Sequence, residues 1–396
     1  MFSHRIPAPS GTNLLTEALA ARTESYIDLT VSNPTTVSLP AADDTGWNAL
    51  AAAPARVYAP DPKGLRTSRQ AVSDYYARHG VAANPERILL TASSSEAYGW
   101  LFKLLADPGD AILVPAPSYP LLDALAELEA LELHRYSLSM EDGWALHASA
   151  IEAALDRLDL AGKRVAAVVL VNPNNPTGGS IAQAELKALL RLSHERNFGV
   201  ISDEVFLDYR FESSAEDVAV AASESEGLVF SLGGLSKAAA LPQLKLGWIL
   251  ANGPEPHLSQ ALSRLEWIGD AYLSVGTPVQ QALAQLLEAS DATAQRIRER
   301  IACNRAALDA AFSAGGAVSV QRMTGGWSAV LRLPAVMTEE RLVIMLLERH
   351  DVLVHPGYFF EFPFEAFLVL SLLPEPGEFA RGIARLAAAL GALVPA

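Results

Sequence analysis

Five short polar segments, each following an apolar run, hold the residues of this chain that could do chemistry: Ser93-Ser94-Ser95, Pro117-Ser118-Tyr119, the loop 172–178, Asp203-Glu204 and Ser236-Lys237. Lys237 stands in the nearly chargeless stretch Phe230–Ala240. A lysine desolvated in such surroundings has a depressed pKa and becomes a nucleophile toward a carbonyl. Taken alone, a loop lysine is more often a solvated surface charge. Asp203 closes the apolar run Gly199–Ser202. A carboxylate buried there must be paired or neutralised, and a protonated ring nitrogen would serve; a helix cap or a surface acid is the plainer alternative. Asn175 lies in Asn172-Pro173-Asn174-Asn175-Pro176-Thr177-Gly178, whose stiff backbone can aim an amide, although the same residue types dominate ordinary turns. Ser94 and Ser95 open a helical stretch, a place that binds phosphate through N–H and hydroxyl groups and that equally favours serine as a plain cap.

The runs that must position these residues are Ile88–Thr91, Ala111–Pro115, Val165–Val171, Gly199–Ser202, Leu228–Leu232 and Gly247–Leu250. Amphipathic stretches, among them Ser94–Leu105, Tyr119–Leu128 and Ala182–Arg196, lie between them. Continuous apolar strands alternating with helices predict a largely parallel sheet covered on both faces, a doubly wound α/β domain. Ligands of such sheets sit beyond the carboxyl ends of the strands, where the polar segments fall. Long helical periodicity follows in Ser259–Ile268 and Pro278–Ala311, then shorter runs at Val318–Arg322, Ser328–Leu333 and Phe367–Leu372, and a closing helix Glu378–Leu390. This predicts a second, α+β domain. Gly325-Gly326-Trp327 reads as a turn entering a strand.

Composition narrows the classes. With 396 residues, 50% hydrophobic and 19% charged, the chain is neither disordered nor fibrous, and its length predicts about two to three domains. The 30 basic against 45 acidic side chains give −15, and no basic run reaches five, which argues against nucleic-acid and anionic-membrane partners. Cys303 is the single cysteine and cannot form an internal disulfide. No Cys/His cluster has zinc spacing and no His-Glu-x-x-His occurs, so no metal is assigned. The amino terminus lacks a basic segment followed by an apolar one, and no stretch of about 18 apolar residues occurs, so a cytoplasmic location is expected.

Seven motifs, in order, are Tyr58-Ala59-Pro60-Asp61-Pro62-Lys63-Gly64-Leu65-Arg66, Ser93–Ala97, Pro117-Ser118-Tyr119, the 172–178 loop, Ser202-Asp203-Glu204, Ser236-Lys237 and Pro356-Gly357. Together they resemble those of fold type I pyridoxal-phosphate enzymes of the class I/II aminotransferase superfamily. The resemblance implies an α/β, aspartate-aminotransferase-like large domain with a mostly parallel central sheet covered by helices, plus a smaller α+β domain from both chain ends. The expected bounds are 1–46 for an N-terminal arm and part of the small domain, 47–285 for the large cofactor-binding domain and 286–396 for the C-terminal small domain. The implied cofactor is pyridoxal 5′-phosphate, carried covalently by Lys237, with Asp203 keeping the ring nitrogen protonated, Asn175 on the ring phenolate oxygen and Tyr119 stacked on the ring. Ser94, Ser95, Ser236 and Lys245 would hold the phosphate. Tyr58 would reach the phosphate of a neighbouring subunit, which implies a homodimer with shared active sites, and Asn33 would lie in a segment crossing the substrate pocket. The implied reaction moves an amino group from a small-molecule donor, an amino acid or related amine, to a 2-oxo acid acceptor. A lyase or decarboxylase of the same fold is the alternative.

Four positions depart from that pattern. Phe206 stands three residues after the aspartate, where a tyrosine is common; losing that phenol donor should raise the pKa of the lysine–cofactor linkage and move the pH optimum upward. Lys245 replaces a phosphate arginine and keeps the charge without the bidentate fork. Gly234 replaces a hydroxyl donor. Val369-Leu370-Ser371 stands where an Arg-x-Ser run usually clamps the substrate carboxylate, and the only basic residues after His355 are Arg381 and Arg385. Arg22, Lys63, Arg322 and Arg332 are the unranked candidates to replace that clamp.

Overall fold

The apolar runs form strands that are buried along nearly their whole length, as strands covered on both faces must be. The computed structural model describes residues 3–6, 11–39, 45–52, 56–211, 218–222, 226–312 and 316–393. A short strand β1 (Ile27–Asp28) precedes the strands of the large sheet: β2 (Ile88–Thr91), β3 (Ala111–Ala116), β4 (Glu132–Ser137), β5 (Val165–Val171), β6 (Gly199–Asp203), β7 (Val229–Gly234) and β8 (Gly247–Asn252). Their spatial order is β2-β8-β7-β6-β5-β3-β4. All neighbours pair in parallel except at β8, which runs antiparallel to both β2 and β7. The polar β4 was not readable as an apolar run, because it is the sheet edge and only Tyr136 in it is buried.

Helices cover both faces. Leu101 and Phe102 of the helix Ser94–Leu105 pack with Leu258 and Leu265 of His257–Tyr272 on one side. Ile151 and Leu155 of Ala148–Leu160 pack with Leu186 and Leu189 of Gln183–Arg196 on the other. The helix expected from Tyr119 begins at Leu121, after Pro120 in the cap position.

The smaller sheet contains β9 (Ser319–Val320), β10 (Ser328–Arg332), β12 (His355–Pro356) and β13 (Phe367–Ser371), in the order β12-β13-β10-β9. Between them in sequence, β11 (Val352–Leu353) pairs in parallel with β1 near the other end of the chain. Leu15, Ile27 and Leu29 accordingly share a core with Leu346, Leu370, Phe379 and Leu386. The opposite face of β13 presents Phe367 and Val369 to Trp144, Phe360 and Phe362. The 35-residue helix Thr277–Ala311 runs through both halves. Its Leu283 and Leu286 pack with Tyr76 and Trp248, whereas Ile297, Ile301 and Leu308 belong to the small-domain core. A boundary at 285/286 therefore falls inside one continuous helix.

Candidate active site

The parallel strands end at one edge of the sheet, and their exits build a cavity of about 210 Å³. Ser94 follows β2, Ser118 and Tyr119 follow β3, Asn175 follows β5, Asp203 ends β6, and Lys237 lies on the short helix Leu235–Ala238 that follows β7; all six line the cavity. Ser32, Tyr98, Phe206, Trp327 and Ser328 line it as well.

Asn175 is singled out within its loop by what its neighbours do. The Asn172 amide donates to the Val218 carbonyl at 2.9 Å and accepts from Ile181 N–H at 3.1 Å. Asn174 accepts from the Thr177 hydroxyl at 2.8 Å. Asn175 has no hydrogen-bond partner among the described residues and faces the cavity. Gly325 holds this loop against the small domain: a Cβ there would meet Pro173 Cγ at 2.7 Å and the Tyr209 carbonyl at 2.8 Å.

Asp203 accepts the Tyr98 hydroxyl at 3.2 Å and the Val205 N–H at 3.1 Å. Burial pushes its carboxyl up to about 6 against these bonds and the nearby Lys237. Burial likewise pushes Lys237 down from 10.5 to about 8, opposed by the Asp203 charge. The Lys237 Nζ lies 4.6 Å from the Trp327 ring centroid and 5.4 Å from that of Phe206. The Tyr209 hydroxyl donates to the Lys237 carbonyl at 2.9 Å and fixes the turn.

Other expected residues lie differently. Ser95 and Ser236 are half-buried beside Ser94 and Lys237 in sequence but do not line the cavity, and Lys245 is exposed in a left-handed conformation at φ +50°. Asn33 accepts from the Thr35 N–H at 3.0 Å and its hydroxyl at 2.8 Å, and the neighbouring Ser32 is the residue at the cavity. Tyr58, 77% exposed, lies in a separate groove with Trp100, Gly269 and Leu273. None of the candidate clamp cations lines the cavity. Arg22 pairs with Asp351 at 2.5 Å, Lys63 donates to the Glu86 carbonyl at 2.7 Å, Arg332 covers Phe364, and Arg322 is exposed near Gly143. Val369 is buried in apolar packing.

Sequence reasoning passed over Tyr98, Trp327, Ser32 and Ser328. Tyr98 sits on the buried side of an amphipathic helix, where an aromatic reads as core. Trp327 follows two glycines that read as a turn. Gly325 and Gly326 were the available signal, because they let the chain approach the 172–178 loop and deliver the indole to the cavity. Among the described residues no cluster of three or more His, Cys, Asp or Glu could hold a metal ion, and no helix is long and apolar enough to cross a membrane.

A buried carboxylate, a desolvated lysine and an unpartnered amide thus meet at one cavity beyond the strand ends. The family model "Aminotransferase class I and II" matches residues 24–385, and the chain belongs to that family, whose cofactor is pyridoxal 5′-phosphate. Among curated relatives, an S-alkyl-thiohydroximate lyase of Arabidopsis thaliana is 32% identical over 63% of this chain, and the chain spans about half of that protein, 53%. An alanine aminotransferase of Mycobacterium bovis is 26% identical over 93% of this chain and 86% of its own. In fold, the chain resembles an aspartate aminotransferase from Thermus thermophilus with a TM-score of 0.84 at 24% identity, covering 98% of this chain and 100% of that one.

The residues present fit the cofactor. Among the described residues Lys237 is the one cation that acts on the buried Asp203 carboxylate, which leaves it able to pair with a protonated ring nitrogen. Near the start of the helix Ser94–Leu105, Gly247 lets β8 pack closely on the backbone that presents Ser94 to the cavity: a Cβ there would lie 3.0 Å from the Ser93 carbonyl carbon and 3.1 Å from Ser94 N.

Proposed function

We propose that this protein is a pyridoxal-phosphate-dependent aminotransferase moving an amino group from an amino acid or related amine to a 2-oxo acid. The observation that carries the reading is Lys237 and Asp203 facing one cavity, the lysine shifted toward its neutral, nucleophilic form. The cofactor, when bound, supplies an electron sink for the pair released at the substrate Cα. Asp203 would hold a proton at the ring nitrogen. Lys237, once displaced by the incoming amine, would take the proton from Cα as a general base and return it on the cofactor side. Asn175 would donate to the ring oxygen, and Tyr119, 51% exposed at the cavity mouth, would cover the ring. Ser94, Ser95 and Ser236 would approach the phosphate, with Lys245 supplying charge at longer range.

The same reading includes a homodimer. Val57, Tyr58, Trp267, Tyr272 and Leu273 are exposed, and Tyr58 and Leu273 share one groove, an apolar face suited to a second copy. Tyr58 would then act in the partner's site. A cytoplasmic setting accords with the single, exposed Cys303.

A lyase outcome is the second reading, favoured by the 32% identity to the Arabidopsis lyase. Purified protein loaded with pyridoxal 5′-phosphate should lose its visible band in Lys237→Ala. An amino donor supplied without acceptor should convert the cofactor to its amine form once per site. Repeated release of a cleaved fragment without any acceptor would instead establish the lyase.

A further inference from the structure

We propose that the amino donor of this site is a primary amine whose Cα carries a neutral substituent, such as an alcohol or a carboxamide, in preference to a free α-amino acid. The inference rests on the aminotransferase reading and specifies its substrate. Among the described residues, the charged side chains lining the cavity are Asp203 and Lys237 alone. Both are committed, one to the ring nitrogen and the other to proton transfer. The small-domain wall consists of Trp327 and Ser328, and Ser32 joins it from the N-terminal segment. The hydroxyls of Ser32 and Ser328 have no hydrogen-bond partner among the described residues, so both are available to a ligand.

Beneath that wall the packing is apolar. Ser328 pairs in register with Ser371, and two residues along each strand Val330 pairs with Val369. Val369 is 2% exposed and packs with Phe360, Phe362 and Phe367. The cross-strand neighbour of Val369 on its other side, His355, lies between the rings of Phe359 and Phe360, and burial holds it below its ordinary value, hence neutral. Arg22, Lys63, Arg322 and Arg332 are engaged or placed elsewhere. A carboxylate moved from water onto this wall would exchange its hydration for hydroxyl donors without a matching charge, a costly transfer. A neutral hydroxyl or amide can hydrogen-bond to the two serine hydroxyls without leaving a charge uncompensated.

Alanine, alaninol and alaninamide share a methyl side chain and differ only at the group in question. Loss of the amino group to the cofactor oxidises each by two electrons, to pyruvate, hydroxyacetone and pyruvamide respectively; the cofactor aldehyde is reduced to the amine, its oxygen leaves as water, and water supplies the ketone oxygen. Calorimetric titration of the cofactor-loaded wild-type protein should give dissociation constants for alaninol and alaninamide at least about tenfold below that for alanine. Equal or tighter binding of alanine overturns the inference, as does failure of both neutral donors to bind. Mass spectrometry of the cofactor reads amination separately: neutral donors that bind without aminating the cofactor count against the transaminase reading and leave the substrate class standing. Val369→Arg and Ser328→Arg each add a guanidinium, and either one that folds should move the preference toward alanine; an unchanged preference in a folded variant overturns the inference.

Discussion

In the cofactor-free protein, replacing Lys237 with methionine is expected to stabilise the fold at neutral pH. Burial lowers the ammonium from 10.5 to about 8, with Asp203 opposing the shift. At about 1.4 kcal/mol per pH unit, keeping that proton in the folded state at neutral pH costs about 3 kcal/mol relative to the unfolded chain. The faces of Trp327 and Phe206, 4.6 and 5.4 Å from the nitrogen, return about 0.5–1 kcal/mol, which leaves a net penalty of about 2 kcal/mol. Between pH 8 and 10.5 the unfolded chain binds the proton and the folded chain does not, so wild-type stability rises with pH across that window. The penalty is fully present below the folded value and disappears above the unfolded one. Methionine removes the titration and keeps the length of the side chain. Urea unfolding followed by circular dichroism should therefore place wild type about 2 kcal/mol below Lys237→Met at pH 7, with the gap narrowing to under about 1 kcal/mol at pH 10. A wild type that is the more stable at pH 7, or a gap that persists at pH 10, would refute the desolvation argument for this lysine.

Asp203→Asn should keep the fold and lower turnover of the loaded enzyme by about 10²–10⁴-fold, because an amide cannot hold the ring nitrogen protonated; single-turnover kinetics check this. Tyr98→Phe removes a hydrogen bond that lowers the Asp203 carboxyl, so the acid limb of the rate profile should move to higher pH, and an unmoved limb would remove Tyr98 from the site. Gly247→Ala forces a methyl against the Ser93 carbonyl carbon, the Gly233 carbonyl and Ser94 N, so stability should fall by about 1–3 kcal/mol, readable by thermal unfolding. Mixed dimers of Lys237→Ala and Tyr58→Phe subunits should recover part of the activity that either homodimer lacks, and no recovery would count against shared sites.

Lys237, Asp203 and Asn175 were legible as cavity residues because a parallel sheet delivers the ends of its apolar strands to one edge, and each of them lies at or within a few residues of such an end. Tyr98 and Trp327 were not, since their place at the cavity depends on packing between elements distant in sequence rather than on a strand exit. Ser32 and Asn33 show the limit of one-residue resolution: an Asx-type turn turns Asn33 back on Thr35 and leaves its neighbour at the cavity. The strand β4 escaped notice because an edge strand need not be apolar. The departure at Val369 was visible in the sequence, but its apolar packing became apparent only with Phe360, Phe362 and Val330 in position.

The pairing of β1 with β11, and the joining of Leu15, Ile27 and Leu29 to Leu370, Phe379 and Leu386, set an order of assembly. On a ribosome the large sheet can close once β8 has emerged, about 140 residues before the end of the chain. The N-terminal segment, although early in sequence, shares its core mainly with elements that follow that sheet, from the helix Thr277–Ala311 through β11 to the helix Pro376–Leu393. Because Ser32 belongs to that segment, and Trp327 and Ser328 follow the large sheet in sequence, this wall of the cavity closes after the strand exits that carry Asn175, Asp203 and Lys237 are in place.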